Sequence, residues 1–461
     1  MNAFNSLIKK IQVRVGYNDR LPQPGLYHYD RQDNGERSRI HLRVDPDGTG
    51  LLIVNASRIM HLNPTAASMA YLILEDTPQQ AATRSLAHLY HARKETIVND
   101  YAQTAEKLHE LIRPDGACPI HELDLEVTAP FSTRPSAPYR MDLAITYRCN
   151  NDCSHCYNAR PRDYPELSTR TWHQVLDKLW AIGIPHVVFT GGEPTLRKDL
   201  PELIAHAEQN GQITGINTNG RRLSDRNYVD RLVEAGLDHV QITLESHSAE
   251  VHDSMVHSPG AWKQTVAGIR NVLESPLYVM TNTTMLTTNS PTLSQTLEFL
   301  AELGVPTVGL NALIYSGRGR TVDSGLAENK LHSLLELARE STNIHQQRLI
   351  WYTPTQYCHF DPMQFELGVK GCTAALYNMC VEPDGSVIPC QSYYQSLGNI
   401  LSNEWKDIWN HKLSIRLRER QDIPEKCVPC SLLSECGGGC PLAIISGEAN
   451  SVLGGENDQH N

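Results

Sequence analysis

The sequence predicts an α/β protein built as a partial (β/α)6 barrel, with a winged-helix-like domain before the barrel and a small cysteine-rich domain after it. Three observations predict this. Six apolar, strand-like runs alternate with amphipathic helical stretches between residues 141 and 313. A hairpin signal and three helix signals come before residue 115. The twelve cysteines are unevenly spread, with one at Cys118, three at Cys149, Cys153 and Cys156, and eight between Cys358 and Cys440.

RIHLRV (39–44) and GLLIVN (50–55) flank Asp-Pro-Asp-Gly-Thr-Gly, a strong turn signal, and read as a hairpin. Asn63 caps a helix with Pro64 in its first turn, and Thr77 and Pro78 repeat the device for QQAATRSLAHLY. A third helix covers about 95 to 113, which completes a unit over 1–115. Residues 116–138, with APFSTRPSAP at their end, have linker composition.

The barrel is expected over 139–345. Its strands are MDLAIT (141–146), HVVFT (186–190), QITGIN (212–217), HVQITL (239–244), YVMTNTTM (278–285) and TVGLNAL (307–313). Amphipathic helices lie between them. In one, Ser168 is the cap, Trp172, Val175, Leu176 and Leu179 share a face, and Gly183 closes the helix. Successive β-α units imply a parallel sheet, here a partial barrel of the TIM type, with its chemistry in the loops after the carboxyl ends of the strands. Over 346–461 the periodicity weakens while cysteine, glycine and proline rise. That composition suits a domain held together by metal rather than by a large core.

The chain has 461 residues and a net charge of −11, from 41 basic and 52 acidic residues, with no Lys/Arg-rich run. That sets nucleic acid aside as the main partner. MNAFNSLIKKIQVRVGY carries charges inside its only apolar stretch and reads as neither a secretion signal nor an anchor. No apolar run approaches a membrane span, so a cytoplasmic protein without a membrane partner is expected. In that compartment twelve cysteines argue for metal or redox chemistry rather than disulfides.

CNNDCSHCY (149–157) places three cysteines at C-x3-C-x2-C directly after the first barrel strand. Structural zinc and ordinary four-iron clusters each want four protein ligands. Three thiolates therefore imply a metal site with an open position, and the competing reading is half of a zinc site. Thr190-Gly191-Gly192-Glu193-Pro194 ends the second strand at the same end of the barrel. Its glycines would admit a ligand to the backbone, and its carboxylate suits an ammonium group.

These motifs together resemble the radical S-adenosylmethionine (SAM) enzymes over residues 139–320. The resemblance implies a [4Fe–4S] cluster on Cys149, Cys153 and Cys156. The fourth iron is left open for the amino and carboxylate groups of SAM. It also implies that Gly191, Gly192 and Glu193 hold the methionine amino group, with His155 beside the adenine. Asn219 in INTNG, Thr243 and Glu245 in ITLES, and Asn282 stand where the family contacts ribose or carboxylate. Two departures are visible. ITLES replaces the frequent Ser-Leu-Asp-Gly, and His257 in HDSMVH stands where arginine is common.

In the C-terminal region, Cys372 is followed by twelve residues, Gly385, four residues and Cys390, and then by Cys427-x2-Cys430-x5-Cys436-x3-Cys440. This spacing resembles the SPASM extension, which carries two auxiliary iron–sulfur clusters, of the [4Fe–4S] type. The resemblance implies Cys372, Cys380, Cys390 and Cys440 on the first cluster and Cys427, Cys430 and Cys436 on the second. The second lacks a tail cysteine, which leaves Glu456, Asp458, Cys358 or an open iron as its fourth position. A pair of zinc-ribbon sites is the competing reading.

VNASRIMHLNPTAASMAYLILED and DYAQTAEKLHELI resemble the leader-peptide-binding domain typified by the chaperone of pyrroloquinoline quinone biosynthesis. Such a domain adds a peptide as a strand to a sheet edge. Residues 39–55 would supply that edge and the 95–113 helix the groove wall. The combined resemblance implies reductive SAM cleavage to a 5′-deoxyadenosyl radical, with electrons from a flavodoxin- or ferredoxin-type donor. The substrate would be a ribosomally made precursor peptide bound through residues 1–115, receiving a crosslink or another C–H functionalisation. Gln391 stands where sulfatase-maturing relatives carry an aspartate base. The alternatives are a radical maturase of a small cofactor such as a tetrapyrrole and, in another class, a non-catalytic iron–sulfur or zinc binding module.

Overall fold

The turn between the two N-terminal apolar runs forms as its residues demand. Thr49 O accepts from Asp45 N (2.8 Å), Asp45 O accepts from Gly48 N (2.9 Å), and Gly48 takes φ 84. The computed structural model describes residues 22–33, 36–55, 58–112 and 135–446. Cys118, residues 116–134 of the linker, MNAFNSLIKKIQVRVGY, Glu456 and Asp458 lie outside the described residues. The chain divides into two compact units, Met1–Ala129 and Pro130–Asn461.

In the first unit the hairpin strands β2 (Glu36–Val44) and β3 (Gly50–Val54) are joined by β1 (Gly25–Asp33) and β4 (Arg58–Leu62) in a four-stranded antiparallel sheet, β1-β2-β3-β4. The expected edge over 39–55 is therefore corrected, because those residues are the inner strands. All five residues of GLLIV are buried, which only an inner strand provides, and the edges are β1 and β4. Neither GLYHYDRQD nor RIMHL carries an apolar run, so the alternation signal is weak there. Three helices follow: α1 (Pro64–Leu74), α2 (Gln79–Leu89) and α3 (Lys94–Ile112). Asn63 caps α1 by accepting from Ala66 N at 2.8 Å. At α2 the N-cap is Pro78 itself, with no side-chain cap bond, so Thr77 does not play the expected part.

The second unit is built on the predicted barrel. Strands β5 (Arg140–Thr146), β6 (His186–Gly191), β7 (Ile213–Thr218), β8 (His239–Thr243), β9 (Tyr278–Met285) and β10 (Thr307–Ala312) lie side by side in sequence order, all parallel. Helix α4 (Thr169–Ile182) shows the cause. Ser168 caps it, Gly183 ends it at φ 96, and Trp172, Val175, Leu176 and Leu179 are fully buried against the strands.

The sheet does not stop at six strands. β11 (Arg348–Trp351) pairs parallel with β10, and β12 (Asn378–Val381) pairs parallel with β5. Antiparallel β13 (Ser386–Ile388) and β14 (Gly398–Asn399) complete a ten-stranded sheet. The expected boundary at 345/346 thus falls inside one compact unit, and the cysteine-rich region shares the barrel's sheet. Strands of two to four residues are too short for a periodicity signal.

A buried ion pair ties the two regions together. Glu382, just after β12 and fully buried, accepts from Arg160 Nε (2.7 Å) and Nη2 (2.8 Å) and from Tyr147 Oη (3.1 Å). Removing one partner leaves a buried charge alone, whereas removing both does not. Arg160→Met is expected to destabilise the fold by about 3 kcal/mol. The double variant Arg160→Met/Glu382→Leu should recover most of that loss in urea-unfolding midpoints.

Candidate active site

The three-cysteine loop leaves the carboxyl end of β5 and is gripped from three sides. Asp152 N and Ser154 N donate to Val256 O (2.9 Å) and Met255 O (3.0 Å), at the end of the helix over Ala249–Val256. Arg162 donates to Cys149 O (2.9 Å), Asn151 O (2.6 Å) and Asp152 Oδ1 (2.6 Å). Arg318 donates to Asp152 O (2.8 Å), Cys153 O (3.1 Å) and Asp152 Oδ1 (2.7 Å), and Arg221 reaches Asn151 Oδ1 (2.8 Å). No spacing rule marks these arginines in the sequence. The one available signal for Arg318 is its place in GRGR, just after the last predicted strand. His257, where the family has arginine, closes that helix in a left-handed conformation and is exposed, while Arg221 supplies the nearby guanidinium.

Burial pushes all three thiols up, Cys149 to about 11, and both Cys149 and Cys153 feel Cys156. At Cys156 the charges of Arg318 and Arg162 work against that rise. Among the described residues no three His, Cys, Asp or Glu side chains are arranged to hold a single ion. Neighbouring thiols bordered by the guanidinium groups of Arg162 and Arg318 suit an anionic iron–sulfur cluster.

The Gly-Gly-Glu motif lies against the base of this loop. A Cβ on Gly191, which sits at φ 130, would stand 2.0 Å from Thr146 O, and one on Gly192 would stand 2.3 Å from Arg148 O. Gly192 N donates to Thr146 O (2.7 Å) and Glu193 N to Arg148 O (2.8 Å). Both glycines therefore admit the protein's own chain, where the sequence suggested the approach of a ligand. Glu193 is buried. Its Oε1 accepts from Thr195 N (3.0 Å), Thr195 Oγ1 (2.6 Å) and Thr218 Oγ1 (2.7 Å), and its Oε2 accepts from Asn219 N (2.8 Å). Burial raises its pKa, and these donors pull it back.

The structure brings most of the remaining candidates to this end of the barrel. Asn219 bridges from Glu193 to Asn150 Oδ1 (2.7 Å) on the cysteine loop. His155 Nε2 lies 2.9 Å from Glu245 Oε1, and Glu245 Oε2 accepts from Thr284 N (2.9 Å). Glu245 is thus engaged by the protein itself rather than presented as a free ribose contact. The buried Nδ1 of His155 has no hydrogen-bond partner among the described residues. Thr243 ends β8 beside Asn282, and Asn282 Nδ2 donates to Asn311 Oδ1 (2.8 Å).

In the cysteine-rich region, burial raises Cys372, Cys390 and Cys440, Cys390 to about 12. Cys372 feels the other two, and Cys380 lies beside Cys390 and Asp142. The two cysteine regions meet where Tyr157 Oη donates to Gln391 Oε1 at 3.1 Å, each residue adjoining a cysteine. A cavity of about 740 Å³ opens there, lined among others by Arg318, Arg320, Tyr315, Tyr394, Leu442 and Ile445.

The Gly192 contact is with backbone, so an added methyl group displaces the loop. We expect Gly192→Ala to lower reductant-driven 5′-deoxyadenosine formation at least about a hundredfold. Iron should fall by about four per chain while the auxiliary iron is retained. Wild-type rates in that variant would show that the loop position does not matter.

A family model described as the radical SAM superfamily matches residues 143–303, and one described as an iron-sulfur cluster-binding domain, SPASM, matches residues 372–431. Among curated proteins, Fe-coproporphyrin III synthase of Methanosarcina barkeri is 29% identical, over 64% of this chain and 81% of its own length. AdoMet-dependent heme synthase of the same organism is 28% identical, over 66% of this chain and 91% of its own length. The crystal structure of Streptococcus suis SuiB bound to precursor peptide SuiA shares the fold with a TM-score of 0.67 and 16% identity, covering 91% of this chain and 97% of that one. Native anSMEcpe with bound AdoMet overlaps at a TM-score of 0.53 and 17% identity, covering 66% and 90%. A radical SAM domain carries a [4Fe–4S] cluster with SAM, and a SPASM domain carries auxiliary iron–sulfur clusters. The chain thus carries a radical SAM domain over residues 143–303 and a SPASM domain over residues 372–431.

Proposed function

We infer that Cys149, Cys153 and Cys156 hold the SAM-binding cluster. Cys372, Cys380, Cys390 and Cys440 hold the first auxiliary cluster, and Cys427, Cys430 and Cys436 belong to the second. Glu193, raised by burial, is the partner for the methionine ammonium group, with Gly191 and Gly192 setting its height above the cysteine loop. With both bound, SAM and its cluster would supply radical hydrogen-abstraction chemistry. The protein's part is to position and shield. His155, held by Glu245, offers Nδ1 as a polar contact for the cosubstrate. A flavodoxin- or ferredoxin-type protein would supply electrons in the cytoplasm. Among the described residues no helix is long and apolar enough to cross a membrane.

The substrate this reading favours is a carboxylate-bearing tetrapyrrole, ahead of the precursor peptide that the N-terminal resemblance implies. The carrying observation is the cavity of about 740 Å³, lined by the exposed Arg320, by the loop-bound Arg318, by tyrosines and by the apolar Leu442 and Ile445. A cation beside aromatic and apolar side chains suits a carboxylated macrocycle, and the volume lies in the usual range for small-molecule sites. Support comes from two curated relatives whose names are those of a coproporphyrin and a heme synthase. The peptide reading keeps one observation of its own. The N-terminal sheet ends in edge strands β1 and β4, and strand addition needs such an edge. The likeness to a peptide-bound SuiB structure accompanies it.

Titration of iron-coproporphyrin into the cluster-loaded, full-length enzyme should shift the Soret band. With SAM and reductant, the pigment should change mass in step with 5′-deoxyadenosine. Arg320 is exposed, so Arg320→Ala should weaken binding about five- to tenfold without changing iron content. An unmoved Soret band and an unchanged pigment would sink the tetrapyrrole reading. Co-purification of a short peptide encoded beside the gene would then favour the other.

A further inference from the structure

Cys358 lies in the connection between β11 and β12, 69 positions before Cys427 in sequence. The fold closes that separation. Tyr357 N donates to Cys436 Sγ at 3.4 Å, and Cys436 Sγ lies 3.7 Å from Thr355 O. Gln356 Nε2 donates to Gly438 O (3.2 Å), and a Cβ on Gly439 would stand 3.1 Å from Gln356 Cγ. Residues 355–357 are thus strapped along the turn that carries Cys436. A reverse turn follows at once, with His359 N and Phe360 N both donating to Gln356 O (2.8 and 3.0 Å), and Cys358 sits at its tip. The turn is anchored rather than loose. Phe360 is buried against Trp351 of β11, and His359 Nδ1 lies 2.8 Å from Glu328 Oε2.

The Cys427 thiol feels the charges of Cys436, Cys358 and Cys430 in that order, and Cys358 in turn feels Cys436. Cys440 belongs elsewhere, since it lies beside Cys372 and Cys390.

On the reading that Cys427, Cys430 and Cys436 hold a cluster, we propose that Cys358 is its fourth ligand, reaching back from the β11–β12 turn where the SPASM spacing would take a cysteine from the tail. Four cysteines close the coordination of a [4Fe–4S] cluster. The second auxiliary cluster then has no open iron for substrate and serves electron transfer. Two of its ligands, Cys358 and Cys430, are exposed, which puts that cluster within reach of an external donor.

The test is differential alkylation of the full-length protein under anaerobic conditions, with and without reconstituted clusters, read residue by residue by mass spectrometry. The expected result is that Cys358 is labelled in the cluster-free protein and protected in the loaded protein to the same degree as Cys427, Cys430 and Cys436. Protection of those three with Cys358 labelled at the cluster-free rate would overturn the proposal alone. Labelling of all four in the loaded protein would overturn both the proposal and the cluster reading beneath it. In a second arm, Cys358→Ala should alter the electron paramagnetic resonance signal of one cluster and lower bound iron by up to about four per chain, and Cys358→Asp, which keeps an anionic ligand, should restore the iron. An unchanged signal with full iron in Cys358→Ala would also overturn the proposal.

Discussion

The site depends on one close approach of backbone to backbone. Where β6 ends, Gly191 and Gly192 lie so near Thr146, Tyr147 and Arg148 that no side chain fits between them. Two hydrogen bonds, from Gly192 N and Glu193 N, lock the contact. Through it the three-cysteine loop and the buried Glu193 are placed by the same pair of neighbouring strands. Cluster and cosubstrate must meet with little positional freedom, and a shared sheet provides that.

Charge completes the arrangement. Thiols and a carboxylate at the strand ends resist ionisation, since partial or full burial raises the pKa of Cys149, Cys153 and Glu193. Arg162, Arg221 and Arg318 bind the loop through its carbonyl oxygens and Asp152, so cationic groups surround it without occupying the thiols. An anionic cluster entering such a loop finds its counter-charges already in position. The same guanidinium groups fix the loop's shape, so electrostatics and geometry come from one set of residues.

The cysteine-rich region is part of the barrel's own architecture. β12 adds to β5, Glu382 holds Arg160, and Tyr157 reaches Gln391, so Cys380 and Cys390 are positioned by the sheet that positions the loop of Cys149, Cys153 and Cys156. One continuous sheet keeps the separation between the two cysteine groups constant.

Much of this was legible in the amino-acid order because local chemistry sets it. The six barrel strands, the Ser168–Gly183 helix, the turn at Asp45–Gly50 and the cysteine grammar each depend on neighbours in sequence. Distance in sequence hid the rest. The outer strands β1, β4 and β11–β14 are too short or too polar for a periodic signal, and only pairing makes them strands. The pairing of His155 with Glu245 spans 90 residues, and Arg318 meets Asp152 from 166 positions away. The spacing after Cys440 left the second auxiliary cluster one ligand short, with Cys358 one of several candidates. Only the tertiary fold, by strapping 355–357 onto the Cys436 turn, brought Cys358 near Cys436 and Cys427. Sequence by itself determined which chemical groups the protein carries, since motifs are local. Tertiary structure alone decided which of them meet, since that depends on strand order and loop closure.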